Sequence, residues 1–337
     1  MNIEKLQATA KAMVADGKGV LAIDESHSTC KKRFDELGVE CTEESRRQYR
    51  QMLVTAPVED YISGMILFDE TLRQKTDDGT PFVQVLKSKG IIPGIKVDTG
   101  AKPLALHEGE SVTEGLDGLR ERLAEYAEIG AEFAKWRAVI AIGNGMPSEA
   151  CIKANAHALA RYAALCQEAG IVPMVEPEIL IDGDHTIEEC DVVSERMYKA
   201  LFAELAEQGV DLTGTILKTS MMVSGKDCAT QADVAEVAEK TVANFMRNCP
   251  TELAGIVFLS GGQSNEKSTA HLNAMHNLGV DMPWPLSFSY GRAIQSNALK
   301  IWAADQNAVA EAQAALAERA RFNSLAAQGK YEAGMES

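Results

Sequence analysis

The stretch GVLAIDES, residues 19–26, determines how the rest of the chain is interpreted. It is an apolar run of the length of a buried β-strand, and it ends in the polar residues Asp24, Glu25 and Ser26. A doubly wound sheet that binds a dinucleotide more often continues from its first strand into a Gly-x-Gly-x-x-Gly turn. The polar ending instead favours a barrel strand whose carboxyl end opens into a polar site.

Seven more runs of this kind follow along the chain. They are ISGMILFD (62–69), IIPGIKVD (91–98), FAKWRAVI (133–140), IVPMVEPE (171–178), TGTILKTS (213–220), GIVFLSGG (255–262) and PLSFSYGR (285–292). Segments with helical periodicity, rich in Ala, Glu and Leu, fill most of the intervals between them. Eight strands that alternate with helices predict an α/β protein with a (β/α)₈ (TIM) barrel over residues 19–292. A doubly wound open sheet is the alternative.

The barrel is expected to occupy a single domain, residues 1–337, with one extra helix at each end. The first thirteen residues have an amphipathic pattern, and a last helix is predicted near residues 306–328. The segment GKYEAGMES, residues 329–337, follows this helix. Because it is polar, terminal and contains glycine, we expect a short mobile tail within residues 306–337.

Composition excludes several classes of protein. The 337 residues carry a formal net charge of -16, which argues against nucleic acid as a partner. No run of about 18 apolar residues is present, so no membrane-spanning helix is expected. The seven cysteines are scattered without a C-x-x-C pair, which indicates reduced thiols in a cytoplasmic protein. The six histidines lack H-x-H or H-x-x-x-H spacing, so we predict no metal site.

Charged and polar residues recur where the apolar runs end. They are Asp24, Glu25, Ser26, Lys96, Asp98, Lys135, Arg137, Glu176, Glu178, Lys218, Ser260, Gly261, Gly262, Ser289, Gly291 and Arg292. In a barrel all these ends meet at one face, where barrel enzymes carry out their chemistry. A single charge there is often a solvated strand end or a structural ion pair. So many charges on successive strands indicate a catalytic site, because buried charges are costly unless paired.

Lys218 is the candidate nucleophile of this set. It lies in TGTILKTSMMV, with no acidic residue beside it in the sequence. Burial and neighbouring cations favour a neutral amine, which attacks carbonyl groups and forms Schiff bases. The alternative is a structural ion pair with Glu176 or Glu178. These two carboxylates lie on one face of the VEPE strand and suit proton transfer.

The last two strand ends predict a phosphate site. Gly261 and Gly262 in LSGGQS allow backbone N–H groups to point at an anion, and Arg292 in SYGRA can add a bidentate contact. Loops after the seventh and eighth strands of such barrels often bind phosphate. The residues therefore predict an enzyme for a phosphorylated carbonyl compound that uses Lys218 covalently.

The motifs GVLAIDES, ILFDETLRQKTDDGTPF, GIKVDTG, FAKWR, GIVPMVEPEIL, FLSGGQS and FSYGRA, in this order, resemble class I fructose-bisphosphate aldolase. The resemblance runs along nearly the whole chain. It implies a cofactor-free TIM barrel, usually a homotetramer, that acts in glycolysis and gluconeogenesis. The implied reaction is the reversible cleavage of fructose 1,6-bisphosphate to dihydroxyacetone phosphate and glyceraldehyde 3-phosphate.

The resemblance also implies roles for the strand-end residues. Lys218 is the Schiff-base lysine, and Glu176 is the general acid and base that helps to expel water from the carbinolamine. Asp24 assists carbon–carbon cleavage, and Lys135 supplies charge with Glu178 beside it. Ser260, Gly261, Gly291 and Arg292 correspond to the 1-phosphate site, with Ser289 on the same strand end. Ser26, Thr29, Lys96 and Arg137 lie toward the 6-phosphate, with Lys32 and Arg33 nearby.

Two departures from the family pattern are visible. Thr219 and Ser220 follow Lys218 where relatives commonly have proline and a small polar residue. Many relatives also continue in a longer mobile tail that ends in tyrosine and assists a later proton transfer. In this chain Tyr331 is the only tyrosine of the tail, so we expect the assistance by a terminal tyrosine to be absent.

Three other functions compete with this hypothesis. A metal-dependent aldolase would polarise the carbonyl with zinc and would need a histidine cluster. Another Schiff-base barrel lyase, such as a transaldolase-like enzyme, would share the lysine but should bind one phosphate. A binding protein on a barrel should have lost one or more of the strand-end charges.

Overall fold

A closed barrel of eight parallel strands is the centre of the computed structural model, which describes residues 2–336. In barrel order the strands are β1 (Gly19–Ile23), β2 (Ile62–Leu67), β3 (Ile92–Lys96), β6 (Phe133–Ile140), β7 (Val172–Ile179), β8 (Ile216–Thr219), β9 (Gly255–Phe258) and β10 (Leu286–Tyr290). Strands β4 (Gly100–Pro103) and β5 (Ser111–Glu114) form a separate antiparallel hairpin. The pairing of Val20 with Ser289 closes the barrel. The predicted (β/α)₈ fold is confirmed, and the open doubly wound sheet is excluded.

Helices surround the barrel. In the described residues they are α1 (Ile3–Met13), α2 (His27–Asp35), α3 (Glu43–Thr55), α4 (Asp69–Arg73), α5 (Phe82–Ser88), α6 (Leu119–Ile129), α7 (Glu149–Glu168), α8 (Ile187–Glu207), α9 (Val234–Asn248), α10 (Asn265–His276), α11 (Arg292–Ala304) and α12 (Val309–Ala326). The two expected extra helices are α1 and α12, so this part of the prediction is confirmed. None of the helices within residues 2–336 combines the length and the apolar character that crossing a membrane requires.

Two hydrophobic cores hold the strands in place. The larger one lies between the outer faces of the strands and the helices. The smaller one lies inside the barrel, where Phe133, Met174 and Val257 pack against residues of α1 such as Leu6 and Met13. Helix α1 therefore closes the amino end of the barrel, and the carboxyl ends of the strands remain open as the mouth.

Glycine at position 94 makes room for the interior core. A Cβ atom on Gly94 of β3 would lie 2.1 Å from the ring of Phe133, which is closer than atoms can approach. Phe133 is fully buried on the neighbouring strand β6. The glycine is therefore needed for this aromatic ring to fill the lower part of the barrel.

The β4–β5 hairpin is an element that the sequence analysis did not anticipate. Its strands have four residues each, and β4 is mostly exposed, so neither shows the apolar run of a barrel strand. The hydroxyl of Thr113 donates a hydrogen bond to the main-chain oxygen of Arg137 at 2.8 Å, which fastens the hairpin to β6.

The carboxyl-terminal segment folds back on α12. Tyr331 is 6% exposed, packs against Phe322, and donates a hydrogen bond from its hydroxyl to Glu336 at 2.7 Å. Residues 333–336 form a short 3₁₀ helix. Ser337, the last residue of the expected tail, lies outside the described residues. The mobility of the tail stays a prediction, and the phenol of Tyr331 is engaged with Glu336.

Candidate active site

A cavity of about 240 Å³ opens at the carboxyl ends of the barrel strands. Its lining contains every residue to which the resemblance gives a role except Lys32: Asp24, Ser26, Thr29, Arg33, Lys96, Lys135, Arg137, Glu176, Glu178, Lys218, Ser260, Gly261, Ser289, Gly291 and Arg292. Asp98 and Gly262, which also belong to the strand-end set, lie outside this lining. Ala22, Glu25 and Leu259 complete the wall. The strand-end charges that are far apart in the sequence thus face one common space.

Lys32 is the candidate residue that the structure does not bring into the lining. It lies on α2 and is exposed, whereas Thr29 and Arg33 of the same helix line the cavity. Thr29 and Arg33 are four residues apart and share one face of the helix, while Lys32 is rotated by about 100° from Arg33. The phase of the helix therefore directs the Lys32 side chain toward solvent.

Two lysines and two carboxylates alternate at the bottom of the cavity. The Nζ of Lys135 lies 2.7 Å from Asp24 Oδ2 and 3.4 Å from Glu176 Oε2. The Nζ of Lys218 lies 3.2 Å from Glu176 Oε1. Lys135, Glu176 and Lys218 are each less than 5% exposed, so these charges are paired almost entirely with one another. Glu176 is within reach of both amines and can pass a proton between its neighbours.

The charge states of Asp24 and Lys135 are fixed by their pairing. Burial alone would raise the pKa of Asp24, but the positive charges of Lys135 and Lys218 outweigh it and hold the pKa well below its ordinary value. Burial alone would lower the pKa of Lys135, but the charges of Asp24 and Glu176 hold it well above its ordinary value. Asp24 is therefore a carboxylate and Lys135 an ammonium ion across the neutral pH range.

Lys218 combines burial with an acidic neighbour in space. In the structure Lys218 is paired with Glu176, as the alternative of a structural ion pair predicts, although no acidic residue lies beside Lys218 in the sequence. The second oxygen of Glu176, Oε2, is buried and makes no hydrogen bond. Oε2 lies beside Lys135 while Oε1 faces the Lys218 amine, so the Glu176 carboxyl can exchange a proton with a substrate hydroxyl or with the water of a carbinolamine between the two lysines.

Glu178 has a different partner from Glu176, although both lie on β7. Its carboxylate accepts a hydrogen bond from Arg137 Nε, with the two atoms 2.5 Å apart. Burial alone would lower the pKa of Arg137, but the charge of Glu178 raises it above its ordinary value. Glu178 is thus occupied by Arg137.

The described part of the chain contains no group of three His, Cys, Asp or Glu side chains that could hold a metal ion.

One side of the cavity is formed by the start of α11. Gly291 is the N-cap of this helix and Arg292 its first residue. The loop after β9 lies beside them, and in it Gly261 and Gly262 adopt φ values of 54° and 90°, which favour glycine. The buried hydroxyl of Ser289 has no hydrogen-bond partner. A helix N-terminus, a guanidinium and an unpaired hydroxyl in one place are groups of the kind that bind anions.

A second side of the cavity is formed by the start of α2. Ser26 is the N-cap of this helix, and its hydroxyl lies 3.1 Å from that of Thr29. Arg33 on the next turn and Lys96 from β3 add positive charge to the same part of the lining. Lys96 lies 3.1 Å from Asp98, which keeps it at the end of its strand. The cavity therefore has two cationic ends, with the Lys218 amine also in its wall.

Glu25 lines the cavity as well, although the sequence motifs indicate no role for it. Its carboxylate binds Arg33 at 2.5 Å and Arg50 at 2.6 Å, and Arg50 is only 2% exposed. The one signal in the sequence was the position of Glu25 directly after Asp24, because nothing in the α3 segment distinguishes the buried Arg50 from the half-buried Arg46 and Arg47. Glu25 thus anchors the cationic α2 side of the cavity.

Comparison with known proteins gives matches along nearly the whole chain. Residues 5–337 match the family model described as fructose-bisphosphate aldolase class-I. A probable fructose-bisphosphate aldolase class 1 of Xanthomonas campestris pv. campestris is 63% identical over 334 residues, which is 98% of this chain and 100% of that protein. Fructose-bisphosphate aldolase C of Carassius auratus is 49% identical, with 98% and 92% of the two chains covered.

A solved structure has the same fold. It is fructose-bisphosphate aldolase of Plasmodium falciparum, in a ternary crystal with TRAP and a small-molecule inhibitor. The TM-score is 0.96 and the sequence identity 46%, over 98% of this chain and 96% of that one. The family match over residues 5–337 spans all eight barrel strands and α12, and it begins within α1.

Proposed function

Since the chain belongs to the class-I fructose-bisphosphate aldolase family, we propose that Lys218 forms the Schiff base through which this aldehyde-lyase cleaves fructose 1,6-bisphosphate. The products of the reversible reaction are dihydroxyacetone phosphate and glyceraldehyde 3-phosphate. The observation that supports the assignment is the buried amine of Lys218, 3.2 Å from Glu176, in a cavity with two cationic ends.

Formation of the imine uses Lys218 and Glu176. The neutral amine of Lys218 attacks the C2 carbonyl of the open-chain ketose and forms a carbinolamine. Glu176, in its protonated form, gives a proton to the departing hydroxyl, so that water leaves and the iminium ion forms. The oxygen of Glu176 that makes no hydrogen bond, Oε2, is the group that we assign to this step.

Cleavage of the C3–C4 bond uses Asp24. The Asp24 carboxylate accepts the proton of the C4 hydroxyl as the bond breaks, and the electron pair moves into the iminium to give an enamine. Lys135 stays positively charged between Asp24 and Glu176, 2.7 Å and 3.4 Å away. Its charge stabilises the negative charge that develops on the substrate oxygens near these groups. Protonation of the enamine at C3 and hydrolysis of the imine then release dihydroxyacetone phosphate.

Two phosphates suit the two cationic ends of the cavity. We assign the 1-phosphate to the α11 side, with Arg292 and the loop of Ser260 and Gly261. We assign the 6-phosphate to the α2 side, with Ser26 and Lys96 among its contacts. Another Schiff-base lyase that binds a single phosphate would need only one of these ends. The second cationic end therefore favours the bisphosphate as substrate over a monophosphate.

Borohydride trapping tests the covalent step directly. Sodium borohydride added together with dihydroxyacetone phosphate should reduce the imine and leave the mass of the reduced substrate on the peptide that contains Lys218. Treatment with EDTA should not change the turnover. Label on Lys135 or Lys96, or the absence of label from the whole protein, would contradict the assignment.

Arg292→Ala should weaken the binding of fructose 1,6-bisphosphate by about 1.5–3 kcal/mol, because a charged hydrogen bond to phosphate is lost. This corresponds to a rise in KM of roughly 10- to 150-fold. The rise should be smaller for a ketose phosphate that lacks the 1-phosphate. Lys300→Ala, on α11 but outside the cavity lining, is the matched control. An equal rise in KM with and without the 1-phosphate would mean that Arg292 has a structural role only.

Assembly and location are also part of the proposal. We propose a homotetramer in the cytoplasm, supported by family membership and by the seven cysteines, all of which are free. No nucleic-acid or membrane partner is proposed, and no cofactor is assigned. Sedimentation equilibrium on the purified protein measures the number of subunits directly.

A further inference from the structure

The side chain of Gln295 is a buried amide next to the proposed 1-phosphate site. Gln295 lies on α11, one turn after Arg292, and is 1% exposed. Its Oε1 accepts a hydrogen bond from the hydroxyl of Tyr49 at 2.8 Å. Its Nε2 donates to the main-chain oxygen of Ala22 and, at 3.0 Å, to Glu25 Oε1. Both N–H groups and the carbonyl are used, so the amide is held in one orientation.

These hydrogen bonds join the two cationic sides of the cavity. Glu25 follows β1 and binds Arg33, on the α2 side, at 2.5 Å. Burial alone would raise the pKa of Glu25, but Arg50 and Arg33 outweigh it and lower the pKa, so that Glu25 is ionised. Gln295 therefore connects an anion that fixes Arg33 to the helix that begins with Arg292.

The connection is rigid at each of its members. Gln295 and Arg50 are no more than 2% exposed, and Tyr49 is held between the rings of Phe34 and Trp302. A Cβ atom on Gly291 would lie 3.3 Å from the main-chain oxygen of Ala22 and 3.8 Å from the amide nitrogen of Gln295. The end of β1 and the start of α11 are thus in direct contact at the amide.

Spacing affects a bisphosphate more than a monophosphate. A substrate with a phosphate at each end gains the binding energy of both ends only if their separation matches its own length. A ketose with one phosphate can bind through one cationic end alone, so its affinity does not depend on the position of the other end. The loss of a charged hydrogen bond to one of the phosphates weakens binding by about 10- to 100-fold.

We propose that Gln295 is a positioning residue that holds the α11 end of the cavity, which begins with Arg292, at a fixed distance from the end formed by Ser26 and Lys96, and that it thereby favours a bisphosphate over a 1-phosphate. Arg33 connects the two ends, because it binds Glu25 and lines a second cavity of about 150 Å³ together with Arg292 and Gln295. The inference rests on the proposed function, because it assumes that the two ends bind the two phosphates of one ketose. Gln295 touches neither the reacting carbonyl nor the phosphates in this scheme.

Gln295→Met tests the proposal, because methionine keeps the length of the side chain and removes all three hydrogen bonds. The KM for fructose 1,6-bisphosphate should rise about 10- to 100-fold. The KM and the turnover number for fructose 1-phosphate should each change by less than about threefold. The quantity to measure is therefore the ratio of the KM for fructose 1,6-bisphosphate to the KM for fructose 1-phosphate. A general loss of structure would affect both KM values and would not raise this ratio.

Two further variants allow the proposal to be tested even if Gln295→Met does not fold. Tyr49→Phe removes only the hydroxyl that donates to Gln295 and should change the KM ratio in the same direction, by about two- to fivefold. Gln313→Met is the matched control. The amide of Gln313 on α12 also binds α3, donating to Met52 O at 2.9 Å and Thr55 Oγ1 at 2.8 Å, but lies outside the cavity lining. It should leave the KM ratio unchanged.

Equal changes in KM for the two substrates, a change in turnover number alone, or no change in a folded Gln295→Met or Tyr49→Phe variant would overturn the proposal. So would a change of the KM ratio in Gln313→Met as large as in Gln295→Met. Borohydride trapping with dihydroxyacetone phosphate separates this result from the proposed function. If the unaltered protein takes no label on Lys218, the catalytic assignment fails. If it takes the label and the KM ratio does not respond, only the role of Gln295 fails.

Discussion

Lys218→Met should reduce the turnover of fructose 1,6-bisphosphate by about 10⁴-fold or more, because the loss of a covalent nucleophile removes the whole imine pathway. Methionine is close to lysine in length and can fill the same buried position at the end of β8. Glu176 keeps a cationic neighbour in the variant, because Lys135 lies 3.4 Å from its other oxygen. We therefore expect the barrel to stay folded and the chemistry to be lost.

The measurement combines steady-state cleavage with borohydride trapping and thermal unfolding. The variant should take no substrate label and should unfold cooperatively. Lys226→Met is the control, since Lys226 is an exposed lysine that pairs with Asp182 outside the cavity lining. It should keep both the turnover and the label. Turnover of Lys218→Met within about tenfold of the unaltered protein would exclude Lys218 as the nucleophile.

Glu176→Gln should reduce turnover by about 10²–10⁴-fold, the range typical of a positioned general acid or base. Glutamine keeps the shape of the side chain and can still contact both lysines, but it cannot exchange a proton. Dehydration of the carbinolamine should become slow, so less imine is trapped by borohydride at early times. Rapid-quench trapping with dihydroxyacetone phosphate measures this rate.

Glu178→Gln provides the comparison on the same strand. Its carboxylate binds Arg137 and not a lysine of the central cluster, so the rate of imine formation should fall by less than about tenfold. If the two variants slow imine formation equally, the assignment of the proton transfer to Glu176 is wrong. If Glu176→Gln forms the imine at the rate of the unaltered protein, another group expels the water.

The barrel could be predicted because its strands are short apolar runs that end in polar residues. Each predicted run coincides with one observed barrel strand, except that β7 extends one residue beyond its run, to Ile179, and the strand ends meet at the mouth as expected. The charged pair of β6 follows the same rule: Lys135 and Arg137 are two residues apart, on one face of the strand, and both line the cavity. A local sequence pattern is enough to predict which strand residues line the cavity, because the alternation of side chains along a strand determines which residues share a face.

Contacts between distant segments could not be predicted in the same way. Gln295 binds Tyr49 and Glu25 across sequence separations of 246 and 270 residues, and no local pattern marks a glutamine as the partner of either. Glu176 could be named only together with Glu178 as a possible partner of Lys218, because the VEPE pattern does not show which of the two carboxylates on β7 reaches the amine. Lys32 shows a smaller failure: its place in the motif was right, but the phase of α2 depends on packing that the motif does not specify.

Helix α1 has a consequence for the order in which the molecule is assembled. It precedes every barrel strand in the sequence, yet Leu6 of this helix packs beside Gly214 and its C-cap Val14 packs beside Gly255, far along the chain. Its apolar face therefore has no complete docking surface until β8 and β9 have been synthesised. Contacts between such distant segments form slowly, because a long loop must close first. We therefore expect α1 to stay undocked and accessible to chaperones during synthesis. It should be among the last elements to pack onto the barrel.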